Sequence, residues 1–230
     1  MNQFTSNKSE LIQVLQKIDT PTICNAIEAL RNKRDLEGFL GMGIRCLLPK
    51  LGTMVGYAVT ATVDSSTPDI PKDKDVWFDW PKAMEASPKP SILVFKDVGP
   101  QPLKSAHFGE VMGTIAVRLG AVGIITDGGI RDIDELFDLG FHCFAAGLVP
   151  SHGNPRILTI NIPVIIDGVT IHPGDLLHGD VNGVTTIPAE LASRIPDAVE
   201  KIRQSEKEFM EFVKGTEFSM EGLYERKVSH

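Results

Sequence analysis

The chain has 230 residues, 42% of them hydrophobic, a formal net charge of −7 and a pI near 5.4. That size and apolar content support one well-buried core, so a single domain over residues 1–230 is expected. The acidic balance, with no stripe of Lys and Arg, argues against nucleic acid as a direct ligand, and no apolar run approaches the length of a membrane span.

The first ten residues, MNQFTSNKSE, lack the apolar core of a signal peptide. Cys24, Cys46 and Cys143 are odd in number and widely spaced, which fits neither a disulfide framework nor a zinc knuckle. They read as buried thiols in a reduced cytoplasm, the expected location of the chain.

In chain order, Leu11, Ile12, Leu15 and Ile18 have helical spacing over Ser9 to Ile18. Thr20-Pro21 reads as an N-cap with proline at the first helical position, opening a helix with Ile23, Ala26, Ile27 and Leu30 on one side. Met54 to Val63 reads as a strand, Asp64 to Asp75 as a loop, and Val76 to Ala86 as a short helix interrupted near Pro81. Ser91 to Phe95 is a short buried strand. A helix follows from about Gly109 to Leu119, a buried strand at Val122 to Thr126, a helix at Asp132 to Leu139 and a short strand at Cys143 to Ala146. This alternation predicts a layered α/β core. From Pro163 onward, short apolar pieces separated by Asp167-Gly168, Pro173-Gly174-Asp175 and Asn182-Gly183 predict a β-meander, with a hairpin at Asn-Gly. Pro188 to Lys214 reads as a long, charged C-terminal helix with a thin apolar stripe, of the kind that packs on a neighbouring subunit.

Three places can carry chemistry. At Gly109 a helix begins, and its first amides lack internal partners, favouring a carboxylate or phosphate. Gly109 would let a ligand approach the backbone, and a 2-oxo acid carboxylate would lie against the amides near Glu110, Val111 and Met112. The same pattern also describes an ordinary helix start with Glu110 as a favourable first-turn acid. The second place is Arg131-Asp132, after an apolar strand and Gly128-Gly129, where open α/β sheets put ligand sites. Asp132 with Glu135 equally matches a capping pattern, D-x-x-E. The third is the loop Pro150 to Arg156, in which His152 or Arg156 can meet the far end of a substrate or simply be solvated. His107, His172 and His178 show no metal-binding spacing; His172 and His178 are expected in turns, as are Asp175, Asp180 and Asn182. No dinucleotide fingerprint, Walker loop or nucleophile elbow is present.

Gly109-Glu110, Thr126-Asp127-Gly128 and Arg131-Asp132 together resemble the signature of the RraA-like family. That family contains the class II 4-hydroxy-4-methyl-2-oxoglutarate/4-carboxy-4-hydroxy-2-oxoadipate aldolases and the regulator of ribonuclease activity A. The aldolase signature is an Asp, twenty residues, then Arg-Asp; here Glu110 stands at the acidic position. Glu135 supplies the later acid of the ribonuclease-regulator branch. Further matches are Thr22 to Ile27, Val55 to Thr60, and the block Pro173-Gly174-Asp175 through Gly179-Asp180 and Gly183-Val184 to Pro188, so the likeness covers about residues 20–190.

The resemblance implies a compact, layered β/β/α fold of the swivelling type, with N-terminal helices and a long C-terminal helix, assembled as a homotrimer or a dimer of trimers. It implies a site between subunits that uses Mg²⁺ or Mn²⁺. Asp132 would bind the metal, Glu110 would hold metal-bound water, and Arg131 would contact the ketone oxygen. Gly109 and the amides of Val111 and Met112 would hold the pyruvyl carboxylate. Glu206 or Glu208 of a neighbouring subunit would supply a further acid, and Arg156 would stand for the Lys of the family's substrate loop. The expected activity is metal-assisted C–C cleavage of a 2-oxo acid, with oxaloacetate decarboxylation through the same enolate. The alternative is a non-catalytic protein-binding regulator, whose acidic charge suits a basic partner segment.

Overall fold

Helices α1 (Gln3–Leu15) and α2 (Thr20–Arg31) lead into the strands in a computed structural model that describes residues 3–34, 36–68 and 74–228. The next elements are β1 (Arg45–Cys46), β2 (Met54–Asp64), α3 (Lys74–Ala86), β3 (Ser91–Asp97), β4 (Ala106–Phe108) and α4 (Glu110–Arg118). They are followed by β5 (Ala121–Thr126), β6 (Gly129–Ile130), α5 (Ile133–Asp138), β7 (His142–Ala145) and β8 (Gly147–Leu148). The chain continues through β9 (Arg156–Ile160), β10 (Val164–Ile166), β11 (Val169–Ile171), β12 (Leu176–Asp180) and β13 (Gly183–Ile187), then α6 (Ile195–Lys214) and α7 (Met220–Val228).

The main sheet has the order β1-β7-β5-β3-β2-β12-β13, with β9 added along the second half of β2. Strands β2, β3, β5 and β7 run parallel, while β1, β9 and β12 pair antiparallel to their neighbours. Buried on both faces, the central strands are near-continuous apolar runs such as Ile92-Leu93-Val94-Phe95. On one face α3, α4 and α5 cover Val59, Leu93 and Ile124 with Trp80, Met84, Ala116 and Leu136. On the other, the β10–β11 hairpin lays Val164, Ile166 and Ile171 over Ala58, Val94 and Ile125. The expected β/β/α layering is present. Helices α1, α2 and α6 close a third cluster against Val55, Leu176 and Ile187.

Several local expectations shift. The cap of α2 is Asp19, whose carboxylate accepts the Thr22 amide at 3.0 Å, and not Thr20, which is drawn inward: its amide donates to Asp180 Oδ2 at 2.8 Å. Helix α3 runs unbroken through Pro81, because Trp80 and Met84 bury completely and tertiary packing outweighs one lost backbone bond. The loop expected before it lies partly outside the described residues. His178 lies within β12, fully buried, and not in a turn. The meander from Pro163 divides: β12 and β13 join the main sheet, and β10–β11 forms its own. Asp167-Gly168 is the turn with both residues at positive φ, +47° and +83°. At Asn182-Gly183, Gly183 pairs with Asp180, so the turn residues are Val181 and Asn182. The long C-terminal helix begins at Ile195, after a short 3₁₀ turn, and not at Pro188; a further helix, α7, follows it.

Candidate active site

Short strands β4, β6 and β8 form a parallel three-stranded ribbon. Strand β6 follows β5 after only Asp127 and Gly128, which places the ribbon at the C-terminal edge of the parallel strands. Such an edge is where α/β sheets present loops to ligands. The ribbon is tied by the Gly129 amide to the Ser105 carbonyl at 2.6 Å, the Arg131 amide to the Phe108 carbonyl at 3.1 Å, and the Val149 amide to the Ile130 carbonyl at 3.0 Å. These bonds set the ends of β4 and β6 side by side, so Gly109-Glu110 and Arg131-Asp132, more than twenty positions apart in the chain, meet.

Their meeting is close. The Glu110 amide, the first of α4, donates to Asp132 Oδ2 at 3.1 Å, and Arg131 Nε lies 3.4 Å from the same oxygen. Gly109 is the N-cap of α4 and has no side chain to offer, so Asp132 reaches across from the other turn to satisfy that amide. A Cβ at residue 109 would overlap Asp132 Oδ2 and come within 3.1 Å of Arg131 Cγ. Glycine is required here for the close approach and not for its dihedral angles, which are extended.

Asp132 itself sits at φ +56°, ψ +48°, in the left-handed region, and makes no side-chain bond to its own helix α5. The capping role suggested by D-x-x-E is thus not made. A non-glycine residue there costs of order 1–2 kcal/mol and persists only where its surroundings hold it. The turn aims the carboxylate away from α5 and toward α4. Among the described residues its other oxygen, Oδ1, carries no hydrogen bond, and the amides of Val111 and Met112 have no acceptor. The side chains of Arg131 and Asp132 are about one-third exposed, at 37% and 32%, and Glu110 is exposed. Beside them lies an open depression of about 370 Å³, lined by Arg131, Asp132, Ile133, Leu148, Val149 and Pro150.

The third sequence candidate divides: Pro150 borders the depression, while the far end of the loop turns to the end of β2. The loop before β9 is fastened to the end of β2 by the Asn154 amide on the Ser65 carbonyl at 2.8 Å. Arg156 forms a buried ion pair with Asp64. Burial pushes the Asp64 carboxyl up, but hydrogen bonds from Thr67 and the Ser66 amide, with the Arg156 charge, outweigh it and hold the group below the usual range. His152 is exposed, its Nδ1 2.8 Å from the Gly153 carbonyl oxygen.

Sequence reasoning missed a buried polar cluster behind the ribbon. His107 Nε2 is 3.1 Å from Asp97 Oδ2 and 3.0 Å from Ser105 Oγ; Ser105 also bonds Asp97 and Ser65. Burial pushes the Asp97 carboxyl up, yet hydrogen bonds from His107, Ser105 and the Gly99 amide bring it below its usual range. Among the described residues the contacts fall on one imidazole nitrogen, whereas a nucleophilic triad uses both, so the arrangement reads as a structural knot. The cluster gathers residues 65, 97, 105 and 107, and no local spacing signals it. Nearby, Lys96 pairs with Asp127, whose Oδ1 accepts the Asp97 amide at 2.8 Å.

Residues 20–186 match the model of the RraA-like family, Aldolase/RraA. The chain belongs to that family. An uncharacterized protein of Methanocaldococcus jannaschii is 26% identical over 203 residues, 87% of each chain. A Halalkalibacterium halodurans protein named "Putative 4-hydroxy-4-methyl-2-oxoglutarate aldolase" is 39% identical over 109 residues, 46% of this chain; the match spans 50% of that relative's length. Among solved structures, Streptomyces coelicolor RraAS2, described as an unusual member of the RNase ES inhibitor RraA protein family, superposes with a TM-score of 0.66 at 24% identity. That superposition covers 86% of this chain and 94% of the other, and shows the shared fold. The motifs at Gly109-Glu110 and Arg131-Asp132 lie inside the matched region. Among the described residues no helix is long and apolar enough to cross a membrane.

Proposed function

We propose that this chain is a lyase that cleaves the C3–C4 bond of a 4-hydroxy-2-oxo acid through a pyruvate enolate and decarboxylates oxaloacetate through the same enolate. The observation that carries this reading is the Asp132 carboxylate, held in a left-handed turn over the start of α4, with Arg131 beside it and Gly109 leaving room.

Among the described residues no cluster of three or more His, Cys, Asp or Glu side chains forms, so a cation at this turn would rest on one or two carboxylates. Hard divalent cations that keep most of their water shell need no more than that. Asp132, with one oxygen uncommitted, and the exposed Glu110 are such donors, so the residues fit Mg²⁺ or Mn²⁺ held by Asp132 directly and by Glu110 through water. Bound there, the cation would supply Lewis-acid polarisation of the 2-oxo group.

The chain's own groups do the rest. The Val111 and Met112 amides, at the positive end of α4, donate to the substrate carboxylate. Arg131 donates to the ketone oxygen and offsets the charge that grows on it as the C3–C4 electron pair moves to C3. The 4-hydroxyl loses its proton as C4 becomes a carbonyl, and C3 regains one to give pyruvate; Glu110, exposed at the start of α4, is the acid–base group for these transfers.

The test is pyruvate release from 4-hydroxy-2-oxo acids and from oxaloacetate, with Mg²⁺ or Mn²⁺ and with EDTA. Asp132→Asn keeps an acceptor for the Glu110 amide and removes the charge. It is expected to lower metal-dependent release by about 100-fold or more with little change in melting temperature. An absence of metal-dependent release from every such acid, at high enzyme loading, would sink the reading.

A further inference from the structure

We infer that Asp97, Ser105 and His107 are positioning residues of this site: they fix the register of β4 against β6 and so bring the Gly109 turn to Asp132. This rests on the lyase reading above and deepens it, since all three lie behind the ribbon and act through it. The observation is a slip in the pairing of β4 with β6. Ala106 lies opposite Gly129 and Phe108 opposite Ile130, so two steps on β4 match one step on β6, and His107 is the extra residue. Such a bulge leaves its residue out of the ladder and re-aims the chain that follows. Here the chain that follows is Gly109 and Glu110.

A strand of three residues beside one of two has too few ladder bonds to hold its own register. Side chains supply the missing hold. His107 Nε2 lies 3.1 Å from Asp97 Oδ2 and 3.0 Å from Ser105 Oγ, and Ser105 bonds the same carboxylate. A carboxylate only accepts, so the imidazole and the hydroxyl are its donors. The Asp97 side chain is fully buried and that of His107 nearly so, which keeps water from replacing either donor. Asp97 is itself fixed to the main sheet. Its amide donates to Asp127 Oδ1 at 2.8 Å, and its Oδ1 accepts the Gly99 amide at 2.7 Å. On one side of the slip the Ser105 carbonyl accepts the Gly129 amide, and on the other the Phe108 carbonyl accepts the Arg131 amide. The end of β3 is thus the template from which both arms of the site are set. Paired without the slip, Gly109 and Glu110 would move along β6 by one strand step, about 3.3 Å. The Glu110 amide would then miss Asp132 Oδ2.

The closing experiment compares the full chain with three variants. His107→Leu fills the space without a donor, His107→Gln puts an amide nitrogen where Nε2 lies, and Ser105→Ala removes the hydroxyl. Amide hydrogen exchange, resolved by NMR without metal, reads the ribbon at Gly129 and Arg131 against the core amide of Val94. His107→Leu and Ser105→Ala are expected to speed exchange at the two ribbon amides by about tenfold, the worth of one hydrogen bond, with Val94 little changed. In pyruvate release from oxaloacetate with Mn²⁺, their kcat is expected to fall about 100-fold while KM stays within about threefold. His107→Gln should restore both readouts. Unchanged ribbon exchange in His107→Leu or in Ser105→Ala, equal acceleration at Val94, or a His107→Gln protein no better than His107→Leu overturns the inference. Unfolding of both His107→Leu and Ser105→Ala, seen by circular dichroism, also overturns it, because the cluster would then serve the whole fold. Faster ribbon exchange with unchanged kcat overturns the positioning role and leaves the lyase reading standing. The expected exchange pattern, in a protein whose unaltered form releases no pyruvate from any acid tried, has the opposite meaning: the register device stands and the lyase reading falls.

Discussion

Gly109 and Asp132 define the candidate site through one contact, and that contact sets a mutational expectation. Gly109→Ala adds a methyl group where Asp132 Oδ2 lies. Either the carboxylate or the α4 turn must move, and misplacement by about 1 Å at a reacting centre costs about 100-fold in rate. Pyruvate release by this variant should fall by that order, with a loss of Mn²⁺ affinity visible by calorimetry and a melting temperature lowered by only a few degrees. Full activity in Gly109→Ala would mean that the Asp132 position is not the reactive one. At this scale Gly109, Arg131 and Asp132 were all legible as punctuation around apolar elements. The direction of the Asp132 side chain was not. D-x-x-E argues for a cap on α5, but the left-handed backbone at Asp132, φ +56°, comes from the ribbon bonds around it and is not written in four residues.

Among the elements, strand β12 and helix α2 are joined by a buried polar latch. His178 Nδ1 is 3.0 Å from Thr20 Oγ1, and its Nε2 is 3.1 Å from the Leu15 carbonyl oxygen, so this imidazole holds the junction of α1 and α2 to the sheet. Burial pushes the His178 pKa below 6.5, against the opposing pull of the Leu15 carbonyl and the Asp180 charge. His142 is depressed by burial in the same direction. As pH falls below the ordinary 6.5, the unfolded chain takes up these protons before the folded one does, so stability is full above that pH and declines beneath it. Thermal melts between pH 8 and pH 5 should show this acid-side loss. His178→Gln should melt lower at pH 8 but lose less on acidification; an unchanged slope would remove His178 as a source. The Asp64, Asp97 and Asp19 carboxyls, held below their usual range, add a second loss only when pH falls below about 3.8. None of this was visible in the apolar pattern of β12, where His178 resembled a turn residue beside Gly179 and Asp180. A histidine that bonds a backbone carbonyl 163 positions away leaves no local trace.

For the whole molecule, the unfinished surface is at the C-terminus. Helix α6 buries Ile195, Ala198 and Val199 against its own chain, while Met210, Val213, Met220 and Tyr224 stay 41–74% exposed. We expect these residues to pack against a second copy in a homotrimer or a dimer of trimers. Light scattering should then give about 75 kDa, three times 25.1 kDa, or twice that mass. Paired Met210→Glu and Tyr224→Glu changes should reduce the mass and the activity together. Both acids proposed to reach a neighbour's site border open depressions, but Glu208 is tied to Gln204 at 2.5 Å on its own helix, whereas among the described residues Glu206 shows no such bond. Glu206→Gln should therefore lower pyruvate release more than Glu208→Gln, each with an unchanged oligomer mass. A monomeric, fully active protein would refute the shared site.

From the sequence alone the layered α/β class, the order of the parallel strands' segments, the N-terminal helices and the family motifs were all determined, because each depends on local periodicity or on short spacings. The tertiary structure alone decided which candidates meet. It brings Gly109 and Glu110 to Arg131 and Asp132, and it withdraws Arg156 to Asp64. The reason lies in β4, β6 and β8, pieces of two or three residues with no periodicity to read, which exist only because neighbouring backbone supplies their hydrogen bonds. Partners separated by 22 and 92 positions are chosen by that scaffold and by the exclusion of water from the buried ion pair.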